Sequence, residues 1–162
     1  MNEETGLIKP NVDPDKPMIG VRDVKAHNDA TCRTVVTVRG HEQVCDEKDG
    51  TNTGPTPLET VLGGLASCEA VMIFSVTEAL GYKYDTVDFD IQAEVDGRGS
   101  RGVRGVRPYF NWVKMKVTIT SNDIDDKKLV AVKKNAEARC PVMNLMIDAG
   151  VDVETDWNVV SG

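Results

Sequence analysis

Positive charge is in short supply: 19 lysines and arginines stand against 26 aspartates and glutamates, for a net charge of −7. A nucleic-acid-binding protein presents a basic stripe to phosphate, so that class is excluded. Histidine is scarcer still, with only His27 and His41. The four cysteines, Cys32, Cys45, Cys68 and Cys140, contain no C-x-x-C pair. That spacing argues against a structural zinc site; a module built on Cys32, Cys45 and His41 is the version that remains. No apolar leader is expected either. The opening MNEETGLIKPNVDPDKP is acidic and proline-bearing, unlike a signal peptide. The longest apolar run, Val61 to Val76, is interrupted by Glu69 and reads as too short to span a bilayer. A cytoplasmic protein without a membrane partner is therefore expected, in a compartment that keeps thiols reduced.

What is present suits one globular domain. A chain of 162 residues buries about two-thirds of its unfolded surface and needs no disulfide to hold a core. The prolines at 10, 14 and 17 mark residues 1–17 as a flexible or draped arm, leaving a single domain over 18–162. A β-rich stretch follows, Thr31 to Gly40, with His41 to Asp46 as its hairpin partner. EKDGTNTGP is a loop by its Gly, Asn, Asp and Pro content.

The central helix has clear ends. Thr56 is the expected N-cap, Pro57 suits the first helical position, and Glu59 completes a Thr-x-x-Glu capping box. Gly81 fits the position just past the last turn. About two dozen residues make roughly 36 Å of helix. It is apolar on nearly every side, which predicts burial in a core or between subunits. Gly63 and Gly64 weaken it by about 1 kcal/mol each and point to close approach of another backbone.

Two alternating strands come next. Val87, Phe89, Ile91, Ala93 and Val95 share one face of 87–95, and Val113, Met115, Val117 and Ile119 share one face of 111–120. Both read as antiparallel strands with one solvated face. Their connection, DGRGSRGVRGVRP, carries four arginines among glycines, either as a solvated hairpin loop or as an arm facing an anion or thiolate. A helix from Ser121–Asp125 to Arg139, a short helix from Pro141 to Ala149 closed by Gly150, and a last strand, VDVETDWNV, complete the order. The class is α+β.

Two cysteines have settings that bear on chemistry. Cys140 falls at the N-cap of the helix opened by Pro141, where free N–H groups and the helix dipole favour a thiolate, with Arg139 beside it. Cys68 lies about a dozen residues into the apolar helix, beyond the dipole, so it must borrow a cation from elsewhere in the fold. Gly64, Ala66 and Ser67 leave room beside its sulfur. Glu69 turns to a different face and reads as a solvated or hydrogen-bonded acid.

The stretch GPTPLETVLGGLASC, the long helix, the strand pair and the late CPVMNLM together resemble the OsmC/Ohr family. Its members share a Pro-x-Glu helix entry, a cysteine eleven residues after that proline, and a late Cys-Pro. Pro57, Cys68 and Cys140–Pro141 hold that pattern, and the likeness runs from about Thr31 to Trp157. It implies antiparallel sheets around a long buried central helix, an intertwined homodimer, and cysteine-dependent reduction of organic hydroperoxides without a cofactor or metal. Cys68 would be the peroxidatic nucleophile, Cys140 the resolving thiol, and a dithiol the reductant. An arginine of the N-terminal β region, Arg39 with Arg33 behind it, would hold Cys68 as thiolate. In the family's peroxidases a glutamate follows the helix-entry proline directly. Leu58 stands there in this chain, with Glu59 one residue on and about 100° around the helix. That departure resembles the less characterised OsmC-like branch, so a non-peroxidase dimer binding a small apolar ligand is the alternative.

Overall fold

The computed structural model describes residues 6–9 and 11–162. Ten elements follow in order: β1 (Lys25–Asn28), β2 (Thr34–Val38), β3 (His41–Cys45), α1 (Pro57–Leu80), β4 (Thr86–Val95), α2 (Gly97–Ser100), β5 (Phe110–Thr120), α3 (Asp126–Glu137), α4 (Pro141–Asp148) and β6 (Asp152–Val160). The expected α+β class holds, with two three-stranded sheets and four helices. The chain gathers into two compact units. One spans 10–64; the other comprises 65–162 together with the N-terminal stretch up to Lys9.

In the 10–64 unit, β2 and β3 form the expected hairpin, antiparallel with Val38 opposite His41. Arg39 and Gly40 make its turn, both at positive φ (51° and 83°). Tight hairpin turns need such angles at both central positions, which glycine meets without strain. β1 pairs along the other side of β2. Its sequence, KAHN, is exposed throughout and carries no apolar alternation to announce it. The loop before α1 is organised by Asp46. Its carboxylate accepts from the Glu47 and Thr53 N–H groups at 2.8 and 3.0 Å, and from the Thr51 and Thr53 hydroxyls at 2.5 and 3.0 Å.

The capping box of α1 is formed as expected. Thr56 N–H donates to Glu59 Oε2 at 2.8 Å, and Glu59 N–H donates to Thr56 Oγ1 at 3.3 Å. Gly81, at φ 72°, closes the far end, where Tyr82 N–H reaches back to the Thr77 carbonyl at 2.9 Å. Between the ends the structure corrects the sequence reading. The helix runs 24 residues, long and apolar enough to cross a membrane by length and composition. Within this chain it is not a buried helix either: only 28% of its most apolar 18-residue window is buried. Its buried residues, Leu65, Glu69, Ile73, Val76 and Thr77, form one stripe at helical spacing. Among the described residues, nothing outside the helix's own backbone and the adjoining residues lies within 4 Å of where a Cβ would sit on Gly63 or Gly64.

The larger unit is built on β5. Val113, Met115, Val117 and Ile119 on its inner face are essentially inaccessible to solvent, while Lys114 and Lys116 point outward. β4 pairs with β5 antiparallel, and its apolar alternation holds until a register shift between Glu94 and Val95. β6 pairs with the other edge of β5 and is parallel to it, so the sheet is mixed rather than antiparallel. The α3–α4 pair forms the crossover that a parallel connection requires. α3 starts at Asp125, whose side chain caps Lys128 N–H, and α4 starts at Cys140 with Pro141 in its first turn.

The arm expected over 1–17 falls partly outside the described residues, at 1–5 and Pro10. Residues 6–9 are tied to α3. Ile8 N–H donates to Asn135 Oδ1 at 2.7 Å, and Asn135 Nδ2 donates to the Gly6 carbonyl at 3.3 Å. The arginine-rich connection is a loop bound to its own unit rather than a thiolate-facing arm. Arg98 pairs with Asp96, Arg101 donates to the Gly97 carbonyl at 2.9 Å, and Arg107 donates to the Gly150 carbonyl at 2.8 Å. Gly99 sits under the Arg107 carbonyl, where any Cβ would collide with backbone.

Candidate active site

The larger unit brings Cys68 and Cys140 together from opposite ends of its sequence. Helix α1 carries Cys68 at the edge of its buried stripe, half-buried, with a free thiol. The turn from α3 into α4 carries Cys140, fully buried and also free. That turn is fixed locally. Pro141 cannot extend α3 in αR register behind it, so Cys140 takes extended backbone angles (φ −72°, ψ 108°) and becomes an N-cap. Asn144 reinforces it, donating through Nδ2 to the Cys140 carbonyl at 2.8 Å and to the Glu137 carbonyl at 3.0 Å. The Cys140 thiol faces both the Cys68 thiol and the Glu69 carboxyl.

The electrostatics of Cys140 differ from the sequence expectation. The helix start does contribute, since Met143 N–H favours the thiolate. Burial outweighs it, and the neighbouring Cys68 and Glu69 act in the same direction as burial, so the thiol is pushed well above its ordinary range. Arg139 does not offset this. Its guanidinium is spent on the Ile8 carbonyl at 2.9 Å and on Asn135 Oδ1 at 3.4 Å. Cys140 at rest is a neutral thiol.

Of the two readings of Glu69, as a solvated or a hydrogen-bonded acid, the structure overturns the first. Glu69 is completely inaccessible to solvent, and neither carboxylate oxygen has a hydrogen-bond partner of good geometry. Burial pushes its pKa up to about 7; the Cys140 thiol eases the shift, and the charge of Glu137 adds to it. Glu137 itself is well served, accepting from Thr155 Oγ1 at 2.6 Å and Trp157 Nε1 at 3.0 Å. The sequence did hold a signal for Glu69: it is the sole charge between Val61 and Val76 and adjoins a candidate nucleophile.

Arg39, the third predicted site residue, belongs to the 10–64 unit and occupies the β2–β3 turn, where it lines an open concavity of about 480 Å³ with Val38 and residues 21–24. Cys32 is exposed, and Cys45 is buried with its sulfur 3.4 Å from Thr60 Oγ1. Among the described residues no three His, Cys, Asp or Glu side chains gather to hold a metal, so Cys32, Cys45 and His41 do not form the module considered above.

The OsmC family model, described as OsmC-like protein, matches residues 50–156, from the loop before α1 through most of β6. The chain belongs to the OsmC-like family. Among individual relatives, protein YhfA of Escherichia coli K12 is 25% identical over 123 residues, covering 75% of this chain and 85% of that protein. In structure the chain is similar to the OsmC-like protein of Mycoplasma pneumoniae, with a TM-score of 0.74 at 17% identity over 88% of this chain and 99% of the other. It is also similar to the organic hydroperoxide resistance protein OhrB of Bacillus subtilis, with a TM-score of 0.59 at 16% identity over 86% and 98%. At these identities the structural likeness carries the OsmC-like fold. Activity has to be argued from the cysteine site.

Proposed function

We propose that this OsmC-like protein reduces organic hydroperoxides through Cys68 and Cys140, working as a homodimer with an external dithiol as reductant. The observation that carries the reading is the meeting of two free thiols from positions 68 and 140, one half-buried and one sealed. The accessible thiol suits the attack on substrate, and the sealed one suits resolution. Cys68, as thiolate, attacks the terminal peroxide oxygen. An S–O bond forms, the O–O bond breaks, and the alcohol leaves with a proton. Cys140 then displaces the hydroxyl from the Cys68 sulfenic acid, giving a disulfide and water, and the dithiol restores both thiols. The family resemblance implies an arginine of the N-terminal β region that holds Cys68 as thiolate, and Arg39 is the residue proposed for that role.

The substrate class follows from the surface beside Cys68. Val71, one turn on, and Phe74 are each more than half exposed on α1, so an apolar peroxide finds more to bind than hydrogen peroxide does. The same surface supports the homodimer, because a stripe of this size on a long helix is normally covered. Cover by a second protein chain fits the OsmC-like match and the acids at 59, 69 and 78 better than cover by lipid does. Light scattering at micromolar concentration is expected to give twice the 17.7 kDa chain mass.

One observation favours a second reading, a dimer that binds a small apolar ligand without turnover. Leu58 stands at the helix entry and is partly exposed, leaving no carboxylate there to orient an arginine. Peptide-resolved mass spectrometry after limiting cumene hydroperoxide separates the two. The peroxidase reading expects a Cys68–Cys140 disulfide in the wild type, no oxidation at 140 in Cys68→Ser, and trapped Cys68 sulfenic acid in Cys140→Ser. Untouched thiols in the wild type would leave the ligand-binding reading standing.

A further inference from the structure

Disulfide closure at this site has a proton problem. The resolving thiol must lose its proton to attack, yet Cys140 is sealed from water, burial and its neighbours hold it protonated, and Arg139 is committed elsewhere. The hydroxyl that leaves Cys68 must also gain a proton, since hydroxide is a poor leaving group in a dry site. One group in contact with the Cys140 thiol can serve both needs. Glu69 follows Cys68 directly on α1, its carboxyl faces the Cys140 thiol, and neither oxygen has a well-aligned hydrogen-bond partner although no solvent reaches them. A buried unpartnered carboxyl costs folding stability, and nothing in the packing of α1 calls for one among Leu65, Ile73 and Val76.

We propose that Glu69 is the proton carrier of disulfide closure: as the Cys140 sulfur attacks the Cys68 sulfenic sulfur, its proton passes to Glu69 and on to the departing hydroxyl, which leaves as water. The step balances. Cys140 supplies the electron pair of the new S–S bond, the S–O bond breaks, one water is released, and Glu69 ends in its starting form. A pKa near 7 lets one carboxyl accept and give a proton at neutral pH. The ionisable groups that act on Glu69 are Glu137 from α3, which raises it, and Cys140 from the α3–α4 turn, which lowers it.

This role rests on the peroxidase reading for its physiological step, so the test has two arms. In the first, reduced protein meets limiting cumene hydroperoxide, and timed acid quench with peptide-resolved mass spectrometry follows sulfenic acid at Cys68 and then closure to Cys140. In the second, 2,2′-dithiodipyridine first caps Cys68 as a mixed disulfide, and Cys140 must expel the thiopyridone, which requires no peroxide. In both arms wild-type closure is expected to rise with pH to a plateau above about 7. Glu69→Gln is expected to slow closure about 100-fold and to replace the plateau with a continuous rise, while the first modification of Cys68 changes less than about twofold. Glu69→Asp keeps a carboxyl and should recover part of the rate and the plateau.

Closure in Glu69→Gln at the wild-type rate, or a slowed rate that keeps the wild-type plateau, overturns the proposal. Absence of closure in both arms with wild type also overturns it. If Glu69→Gln does not fold, Glu69→Asp and the wild-type profile decide, and a wild-type profile without a plateau is the overturning result. If peroxide leaves Cys68 untouched but the pyridyl arm closes with the expected dependence on Glu69, the peroxidase reading falls and the proton role stays.

Discussion

Asp46 and Glu69 are both sealed from solvent, one in the loop between β3 and α1 and the other on the buried stripe of α1. Asp46 is wrapped by its own loop and accepts four hydrogen bonds, from two backbone N–H groups and two threonine hydroxyls. Those donors, Thr51 first and Thr53 N–H next, hold its pKa down at about 2. Glu69 is wrapped by core side chains, has no well-aligned donor, and is raised to about 7. Loss of solvent alone therefore does not decide whether a carboxyl is charged. The count of donors aimed at the ionised form does. The loop acid is a structural knot, fully ionised near neutrality. The helix acid is left under-served beside the Cys140 thiol, which is the usual mark of a group kept for chemistry rather than for stability.

The largest difference expected between the two acids lies in how stability responds to pH. Glu69 titrates near 7 in the folded protein and near 4.5 unfolded, so the folded state binds the extra proton between those values. Stability is then greatest below 4.5 and falls as pH rises through 7. Taken at 1.36 kcal/mol per tenfold, the full loss is about 3 kcal/mol. Glu69→Gln has no such titration. Urea unfolding at a fixed protein concentration, at pH 5 and pH 8, should show the variant gaining on wild type by that order at the higher pH. An equal difference at both pH values would mean Glu69 is not buried unpaired as described.

Asp46 predicts the opposite slope. Its folded pKa is depressed from 3.8 to about 2, so its contribution is present above 3.8 and lost as pH falls through 2. Asp46→Asn should be less stable than wild type at neutral pH, with a thermal midpoint lower by several degrees, because an amide nitrogen cannot accept from Thr51 or Thr53. The gap should narrow in acid. Melting curves at pH 7 and pH 2.5 check this.

A third acid gives the smallest effect. Glu59 is exposed and is held below its usual range, first by Thr56 N–H and then by the Thr56 hydroxyl and Lys48. It is a local version of what Asp46 does. Thr56→Ala removes the hydroxyl that caps Glu59 N–H and should cost about 1 kcal/mol, read as a shift in urea midpoint with unchanged slope. A cost well above that would mean the box also anchors the loop organised by Asp46.

Local features were legible in the chain. The Thr56–Glu59 box, Pro57, Gly81, the alternation in β4 and β5, and Cys140 before Pro141 all rest on neighbours within a few residues, so residue order alone sets them. The family pattern also lay in the order: Pro57, Cys68 and Cys140–Pro141. The exposed β1 was not legible, because KAHN gains its strand form only from pairing with β2. Nor was the parallel direction of β6, which depends on the α3–α4 crossover. The state of Cys140 was misread because a helix start is local, whereas the burial and the two neighbours that outweigh it arrive from α1, about 70 residues away. Arg139 was misread for the same reason, its partner being Ile8.

Sequence by itself determined where the elements begin and end and which thiols are the candidates, since caps, periodicity and a proline act over one or two turns. Tertiary structure alone decided that the two thiols meet, that Cys140 stays protonated, and that the Glu69 carboxyl is buried against the Cys140 thiol. Ionisation depends on what surrounds a group within a few ångströms in every direction, and for Glu69 and Cys140 those surroundings come from segments far apart in the chain.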